Sequence, residues 1–249
     1  MTSRILLIPL SWLSLSLLAQ EALPKTAETF DVGGHKAFLS AAPMPAEGKP
    51  WLWYAPTLKS LAFGERKGYF ETFAKAGISI AGYDIGEVRG SPTSTAKFTL
   101  FYDEMVKRGY SPKPILLGQS RGGLRSSYLA ALDDRIKATI VSSWMCSFPN
   151  QLAAHIRGIG FTKIIPGMYH HMDHPDIASL AMPKPLMVIN GSQDRLFELA
   201  GVHAAHEKIA QCYAKAGVPE HFKSIIEDAP HQFNAERQAD AWAWFDKWV

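Results

Sequence analysis

Short apolar segments alternate with longer segments of helical spacing along most of this chain. Apolar residues follow one another almost without interruption in the short segments, which is typical of strands buried on both faces of a parallel sheet. The predicted strands are 29–32, 36–41, 51–54, 78–83, 115–117, 138–144, 186–189 and 223–226, and the predicted helices are 67–76, 94–108, 124–132, 196–215 and 233–248. This alternation predicts an α/β fold with a mostly parallel sheet and helices on both of its faces.

Two parts of the chain depart from this alternation. The first two strands flank Gly33 and Gly34, which predicts an antiparallel hairpin at one edge of the sheet. Residues 146–183 are irregular and contain four prolines. This segment therefore predicts a small cap insertion over one end of the sheet.

The first 19 residues differ in composition from the rest of the chain. Arg4 supplies a positive charge, residues 5–18 form an uncharged and mostly apolar run, and Ala19 is a small residue suited to a cleavage site. The run of 14 residues is shorter than the roughly 20 that a membrane-spanning helix needs. We therefore predict a signal peptide over 1–19, a mature domain over 20–249, a secreted or periplasmic location, and no stable membrane association after cleavage. A core strand or helix, or an uncleaved anchor, is the alternative.

Length, charge and cysteine content narrow the class of protein further. The 249 residues suit one large α/β domain. The net charge of +3 is small and dispersed, which argues against a nucleic-acid-binding surface. Cys146 and Cys212 form no CxxC pair, so we expect two buried free thiols, although export would permit a disulfide. The pattern gives no prediction of oligomeric state.

The sharpest candidate for chemistry is the sequence Gly-Gln-Ser-Arg-Gly at 118–122. It follows a predicted strand and precedes a predicted helix, which is the context that a G-x-S-x-G nucleophile elbow requires. Such a turn exposes the hydroxyl of Ser120 and brings the next amide, that of Arg121, to a position where it can donate to an oxyanion. A glycine-rich helix N-terminus is the structural alternative.

A serine nucleophile needs a base, and the base needs an acid that orients it. Asp194 follows the predicted strand 186–189, and His231 follows the last strand and precedes the last helix. Both residues therefore belong at the carboxyl edge of the sheet, where open α/β sheets bind their ligands. Ser120, Asp194 and His231 also occur in the order nucleophile, acid and base that accompanies this elbow.

Other residues compete for the roles of acid and base. The alternative acids are Asp84 and Glu87, which follow an earlier strand, and Glu227 and Asp228, which lie close to His231 in sequence. The other eight histidines do not follow a strand that comes after the acid. These positions make Asp194 and His231 the preferred pair.

The second oxyanion donor is expected in the loop after strand 51–54. Pro56 has no amide hydrogen and cannot serve. Thr57 is therefore the preferred donor, with Ala55 and Leu58 as alternatives, and a simple turn is the structural reading of the same segment.

Four residues are candidate substrate contacts. The side chain of Arg121 could pair with a substrate carboxylate, or it could form a structural salt bridge. Tyr54 ends the strand before the oxyanion loop, and His170 and His171 lie in the predicted cap. The spacing of His170 and His174 also suits a metal, but the proline after His174 argues against the helix that such a pair needs. We therefore predict no metal site.

With these residues placed, the chain resembles the α/β-hydrolase superfamily over nearly all of residues 20–249. Residues 175–186, running into 190–197, resemble the branch of dienelactone hydrolases and acetyl xylan esterases. The resemblance implies an eight-stranded, mostly parallel sheet, hydrolysis through an acyl-enzyme, and no cofactor.

The resemblance also implies individual roles: Ser120 is the nucleophile, Asp194 the acid and His231 the base. Two positions depart from the branch. Ser120 stands where a dienelactone hydrolase carries a cysteine, and Arg121 stands where many relatives have a smaller, aromatic or apolar residue. The substrate therefore does not follow from the resemblance.

These features predict an exported serine carboxylic-ester hydrolase. Its expected substrate is a small-molecule or oligosaccharide ester, with an esterified carbohydrate preferred. The alternatives are a serine peptidase of the same superfamily and a non-catalytic binding protein on a hydrolase scaffold. The chain has no room for a large gating domain, which disfavours the peptidase, and the intact Ser, Asp and His set disfavours the binding protein.

Overall fold

The described part of the chain includes Ser120, Asp194 and His231. The structure is a computed structural model that describes residues 23–24, 26–54, 63–85, 91–149, 165 and 167–248. The predicted signal peptide and Thr57, with its alternatives Ala55 and Leu58, lie outside these residues. No helix within them is long and apolar enough to cross a membrane.

An eight-stranded sheet forms the centre of the molecule. Its strands are β1 (Glu28–Val32), β2 (His35–Ser40), β3 (Trp51–Tyr54), β4 (Ser79–Tyr83), β5 (Ile115–Gln119), β6 (Ala138–Ser142), β7 (Leu186–Gly191) and β8 (Phe222–Glu227). Their order in the sheet is β1-β2-β4-β3-β5-β6-β7-β8, and β2 is antiparallel to both β1 and β4. The other six strands, in the order β4, β3, β5, β6, β7 and β8, run parallel to one another. The predicted edge hairpin and the mostly parallel sheet are both confirmed.

Helices connect the parallel strands. The described α-helices are α1 (Phe63–Lys75), α2 (Pro92–Lys107), α3 (Arg121–Leu132), α4 (His174–Ser179), α5 (Leu199–Lys215) and α6 (Ala235–Phe245). Helix α2 begins two residues before its predicted start because the hydroxyl of Ser91 accepts a hydrogen bond from the amide of Ser94 at 3.3 Å. Pro92 is compatible with that first turn, since its missing amide hydrogen would have no partner there.

The helices cover both faces of the sheet. In β7, Leu186 and Val188 pack with residues of α5, whereas Met187 and Ile189 belong to a second apolar cluster that includes residues of α1 and α6. All four side chains are almost completely buried. Burial on both faces explains why β7 is a continuous apolar run in the sequence rather than an alternating one.

The predicted cap contains helical turns in its described part. Residues Met168–His170 form a 3-10 helix, and Asp173 caps α4 together with Asp176. The carboxylate of Asp173 also accepts hydrogen bonds from the Ser147 hydroxyl at 2.7 Å and from the Phe148 amide at 2.9 Å. These bonds tie the segment after β6 to the start of α4. The extent of the cap over 146–183 stays a prediction.

A buried histidine joins α5 to the last two strands. His206 lies in α5; its Nδ1 atom is 2.7 Å from the Ser224 hydroxyl in β8, and its Nε2 atom is 3.0 Å from Asn190 Oδ1 in β7. Burial, with a smaller contribution from His203, lowers the pKa of His206 to about 3. The side chain is therefore neutral in the folded protein at neutral pH.

We expect His206 to make the protein sensitive to mild acid. The unfolded chain binds a proton at this histidine near pH 6.5 and the folded chain does not, so stability is full above pH 6.5 and falls as the pH drops toward 3. Between pH 7 and pH 5 the loss from this one group is about 2 kcal/mol. Urea unfolding at the two pH values should therefore give a smaller difference for His206→Gln than for the wild type. Substitution of the exposed His170 by Gln is the control, and an unchanged difference in His206→Gln would contradict the expectation.

Candidate active site

Ser120 lies in a strained turn between β5 and α3. Its backbone has φ 55° and ψ −121°, in the region that residues with a side chain rarely adopt. The Ser120 amide donates to the carbonyl of Ser142 in β6 at 2.8 Å, and its side chain makes no capping bond to α3. The turn thus has the geometry predicted for the elbow, with Arg121 as the first residue of the helix.

Two glycines make this turn sterically feasible. A Cβ atom on Gly118 would lie 2.1 Å from the carbonyl oxygen of Gly122 and 2.4 Å from the Ser126 hydroxyl. A Cβ atom on Gly123 would lie 2.9 Å from the Cβ atom of Trp144. Glycine at both positions therefore lets α3 begin directly behind Ser120 and pack closely against the end of β6.

Asp194 and His231 are in direct contact at the same edge of the sheet. Asp194 lies in the loop 192–198, called here the acid loop, and His231 lies in the loop 228–234, called the histidine loop. The Oδ2 atom of Asp194 is 2.6 Å from His231 Nδ1, and the Asp194 side chain is completely buried while that of His231 is 25% exposed. The other carboxylate oxygen of Asp194 accepts from the Leu196 amide at 3.0 Å. This second bond fixes the carboxylate so that Oδ2 faces the imidazole.

The acid loop and the histidine loop are bonded to each other. The amide of Gln193 donates to the Ala229 carbonyl at 3.0 Å, and its side-chain amide donates to Asp228 Oδ1 at 2.6 Å. Gly191 lies so close to the histidine loop that a Cβ atom would be 2.1 Å from the Ala229 carbonyl oxygen. These contacts hold the two loops in a fixed relation.

The rival acids have other partners or lie farther away along the sheet. The carboxylate of Glu227 pairs with Arg237 in α6, and that of Asp228 accepts from the acid loop. Asp84 follows β4, on the opposite side of β5 from His231. Glu87 lies outside the described residues. Asp194 is thus the candidate acid that the structure brings to His231.

The candidate substrate contacts differ in their exposure. Arg121 is exposed at the first position of α3, and His170 and His171 are exposed in the cap. Tyr54 is 7% exposed, and its ring packs against those of Tyr69 and other aromatic residues in the core. Tyr54 therefore has the contacts of a core residue, and its role in substrate binding stays a prediction.

Two aromatic residues near the Asp194–His231 pair were not predicted as site residues: one contacts His231 and the other contacts the first. The ring of Phe197, in the acid loop, stacks on the imidazole of His231 with the centroids 6.4 Å apart. Trp144, just after β6, packs edge-to-face on Phe197 at 5.5 Å. Trp144 ends the predicted strand 138–144 and Phe197 lies at the start of the predicted helix 196–215, and aromatic residues at such positions are most often part of a core.

His174 in the cap is bound to tyrosines. It is buried, with its Nε2 atom 2.9 Å from the Tyr169 hydroxyl and its Nδ1 atom 3.4 Å from the Tyr128 hydroxyl. Burial, with a smaller contribution from Asp173, raises the pKa of Tyr128 to about 12, so this hydroxyl stays protonated. No group of three His, Cys, Asp or Glu residues that could hold a metal occurs in the ranges given above.

The two cysteines are separate. Cys146 and Cys212 are both free thiols; Cys146 is buried, as predicted, whereas Cys212 is only half-buried. Burial, with smaller contributions from Asp173 and Asp194, raises the pKa of the Cys146 thiol well above its usual range. Cys146 is therefore an unreactive packing residue beside the acid loop.

Sequence comparison gives a partial match to a curated protein. No family model matches the chain. A stretch of 138 residues, which is 53% of this chain, is 28% identical to "Putative hydrolase YtaP" of Bacillus subtilis (strain 168). The match spans 45% of that protein, so it covers less than half of the relative's own length.

Structure comparison gives matches over nearly the whole chain. The glucuronoyl esterase from Solibacter usitatus superposes with a TM-score of 0.67 at 12% identity, covering 96% of this chain and 93% of that one. The Pyrococcus furiosus esterase Pf2001 superposes with a TM-score of 0.65 at 14% identity, covering 97% and 96%. At these identities the similarity concerns the fold, and it confirms the fold class that the sequence predicted.

Proposed function

We propose that this chain, which has the α/β-hydrolase fold, is an exported serine hydrolase of carboxylic esters. The observation that carries the proposal is the buried Asp194 carboxylate, bonded to His231 at 2.6 Å, at the sheet edge where Ser120 lies in a strained elbow. A carboxylate that accepts the Nδ1 proton of an imidazole leaves Nε2 as a proton acceptor. The predicted signal over 1–19 supports export.

The proposed reaction follows from these positions. The Nε2 atom of His231 takes the hydroxyl proton of Ser120 while the Ser120 oxygen attacks the ester carbonyl carbon. The amides of Arg121 and Thr57 are the proposed donors to the resulting oxyanion. Collapse breaks the bond to the alcohol oxygen, which leaves with the proton from His231. Water, giving a proton to His231, then attacks the acyl carbon. The bond to the Ser120 oxygen breaks, that oxygen takes the proton back from His231, and the acid is released.

The proposal is tested by labelling with a fluorophosphonate probe. Phosphonylation requires a serine activated by a base, so the wild-type chain should form one adduct, on the tryptic peptide that contains Ser120. The same preparation should hydrolyse p-nitrophenyl acetate faster than the corresponding anilide, since an ester has a better leaving group than an amide. A chain that remains unlabelled and hydrolyses neither substrate would instead be a binding protein, and preference for the anilide would identify a peptidase.

We also propose that the substrate is an esterified carbohydrate that carries a carboxylate. Arg121 is an exposed residue that directly follows the proposed nucleophile, and a planar guanidinium can bind a carboxylate through two parallel hydrogen bonds. The structural similarity to a glucuronoyl esterase supports a carbohydrate ester as the substrate class, and the carboxylate is proposed from Arg121 alone.

The Arg121 hypothesis predicts a change in selectivity. Acetylated glucuronic acid carries a free carboxylate, and acetylated glucose is its neutral counterpart. Loss of a charge-assisted pair worth about 1.5–3 kcal/mol should lower the ratio of kcat/KM between the charged and the neutral ester about 10- to 100-fold in Arg121→Gln. Arg125→Gln, one turn further along α3, is the matched control and should keep the wild-type ratio. An unchanged ratio in Arg121→Gln would show that the side chain has a structural role.

A further inference from the structure

Ser143 is a strained and buried residue directly after β6. Its side chain and backbone are 1% exposed, and its φ is 52°. The other described residues besides glycine with a positive φ are Lys49, in an exposed turn, and Ser120 itself. A residue with a side chain in this conformation costs of order 1–3 kcal/mol and persists where surrounding contacts enforce it.

Ser142 and Ser143 together contact segments from three different parts of the chain. The residue before it, Ser142, accepts the Ser120 amide at 2.8 Å. The Ser143 amide donates to the Ile189 carbonyl in β7 at 2.7 Å, three residues before the acid loop begins. The Ser143 hydroxyl donates to the Gln232 carbonyl in the histidine loop at 3.0 Å. One short turn thus links the elbow, the strand that leads to the acid loop, and the histidine loop.

The third of these contacts acts next to His231. Gln232 follows His231 directly, so a bond to its carbonyl restrains the backbone that carries the imidazole. The start of the histidine loop is anchored to the acid loop through Gln193, and its end is anchored by Gln238, whose side-chain amide donates to the Phe233 carbonyl at 2.8 Å. The Ser143 hydroxyl holds the part of the loop that lies between these two anchors.

We propose that Ser143 is a positioning residue, whose hydroxyl fixes the position of the His231 imidazole relative to the Ser120 hydroxyl. The strained backbone is the cost of this placement, because at a positive φ the Ser143 amide stays bonded to β7 while the hydroxyl reaches across to the histidine loop. The hydroxyl touches no reacting atom. This inference rests on the function proposed above for Ser120, Asp194 and His231.

Two substitutions separate the effect of the Ser143 hydroxyl from the effect of the strained Ser143 backbone. Ser143→Ala deletes the hydroxyl and keeps the strained φ, whereas Ser143→Gly deletes the hydroxyl and relieves the strain. Both variants should lower kcat for p-nitrophenyl acetate about 10- to 100-fold, the loss expected for a misplaced catalytic group, with KM changed less than about 3-fold. The midpoint of thermal unfolding should be higher for Ser143→Gly than for Ser143→Ala. Activity and stability should therefore not change together.

A substitution within β6, the strand that precedes Ser143, provides the control. The Thr139 hydroxyl is buried in β6 and has no hydrogen-bond partner among the described residues. Thr139→Val keeps the shape of the side chain, so it should retain kcat within about 2-fold. This control distinguishes the specific contact of the Ser143 hydroxyl from the mere presence of a buried hydroxyl in or beside β6.

The outcomes distinguish the inference from the proposed function. If the wild type is labelled by the fluorophosphonate and both Ser143 variants keep the wild-type kcat, the positioning role is wrong and the proposed function stands. If Ser143→Gly restores both kcat and stability relative to Ser143→Ala, the strain matters and the hydroxyl does not, which also overturns the inference. If the wild type is neither labelled nor active, the proposed function and the positioning role of Ser143 are both wrong.

Discussion

Ser120→Ala is expected to lower kcat for p-nitrophenyl acetate by about 10⁴-fold or more while the protein stays folded. Alanine keeps the backbone of the elbow, because the contacts that enforce its φ of 55° are backbone and glycine contacts. What disappears is the oxygen that would form the acyl-enzyme, and His231 can then activate only water. The measurement combines turnover, fluorophosphonate labelling and a thermal unfolding curve on the same preparation.

The matched control for this substitution is Ser127→Ala. Ser127 lies in α3, two turns after Ser120, and its hydroxyl donates to the Leu124 carbonyl at 2.8 Å. This variant should keep labelling and turnover. If Ser120→Ala retained both the adduct and the activity, another residue would have to be the nucleophile.

The elbow and the order of the proposed triad could be predicted because both depend on local patterns and topology. The glycines at 118 and 122 identify a tight turn around Ser120 from the sequence of residues 118–122 alone. Asp194 and His231 are 37 residues apart, yet each directly follows a parallel strand, and parallel strands bring their carboxyl ends to one edge. The contact between them follows from that rule without any knowledge of side-chain packing.

Other features depend on packing that no local pattern records. Ser143 and Gln232 are 89 residues apart and meet through a hydroxyl and a carbonyl, neither of which has a sequence signature. Helix α3 begins at Arg121, three residues before the predicted start at 124; the two glycines in this first turn are poor helix formers, but Gly123 is needed for close packing on Trp144. The surroundings of Tyr54 also depend on packing. Its position at a strand end suggested a substrate contact, whereas its aromatic neighbours show that it packs in the core.

Asp194→Asn is the second substitution expected to have a large effect, and its effect can be derived from one hydrogen bond. The Leu196 amide donates to Oδ1 of Asp194 at 3.0 Å. An asparagine side chain has one acceptor oxygen and one NH₂ group, so its oxygen will take the position that faces this amide. The NH₂ group then faces Nδ1 of His231 and donates to it. The imidazole must carry its proton on Nε2, which leaves no acceptor for the hydroxyl proton of Ser120.

The expected result is a fall in kcat of about 10³- to 10⁴-fold at neutral pH, with the fold retained. Asp194→Ala imposes no tautomer, so it should be no more active than the wild type and no less active than Asp194→Asn. Asp228→Asn is the matched control, because it makes the same change of a carboxylate to an amide in the histidine loop while its side-chain oxygen can still accept from Gln193 and Ser192. Nitrogen-15 NMR of the His231 ring reports the tautomer directly. A proton found on Nδ1 in Asp194→Asn, together with wild-type kcat, would refute the orienting role of Asp194. A proton on Nε2 together with a low kcat would show that the loss of activity accompanies the wrong tautomer of His231.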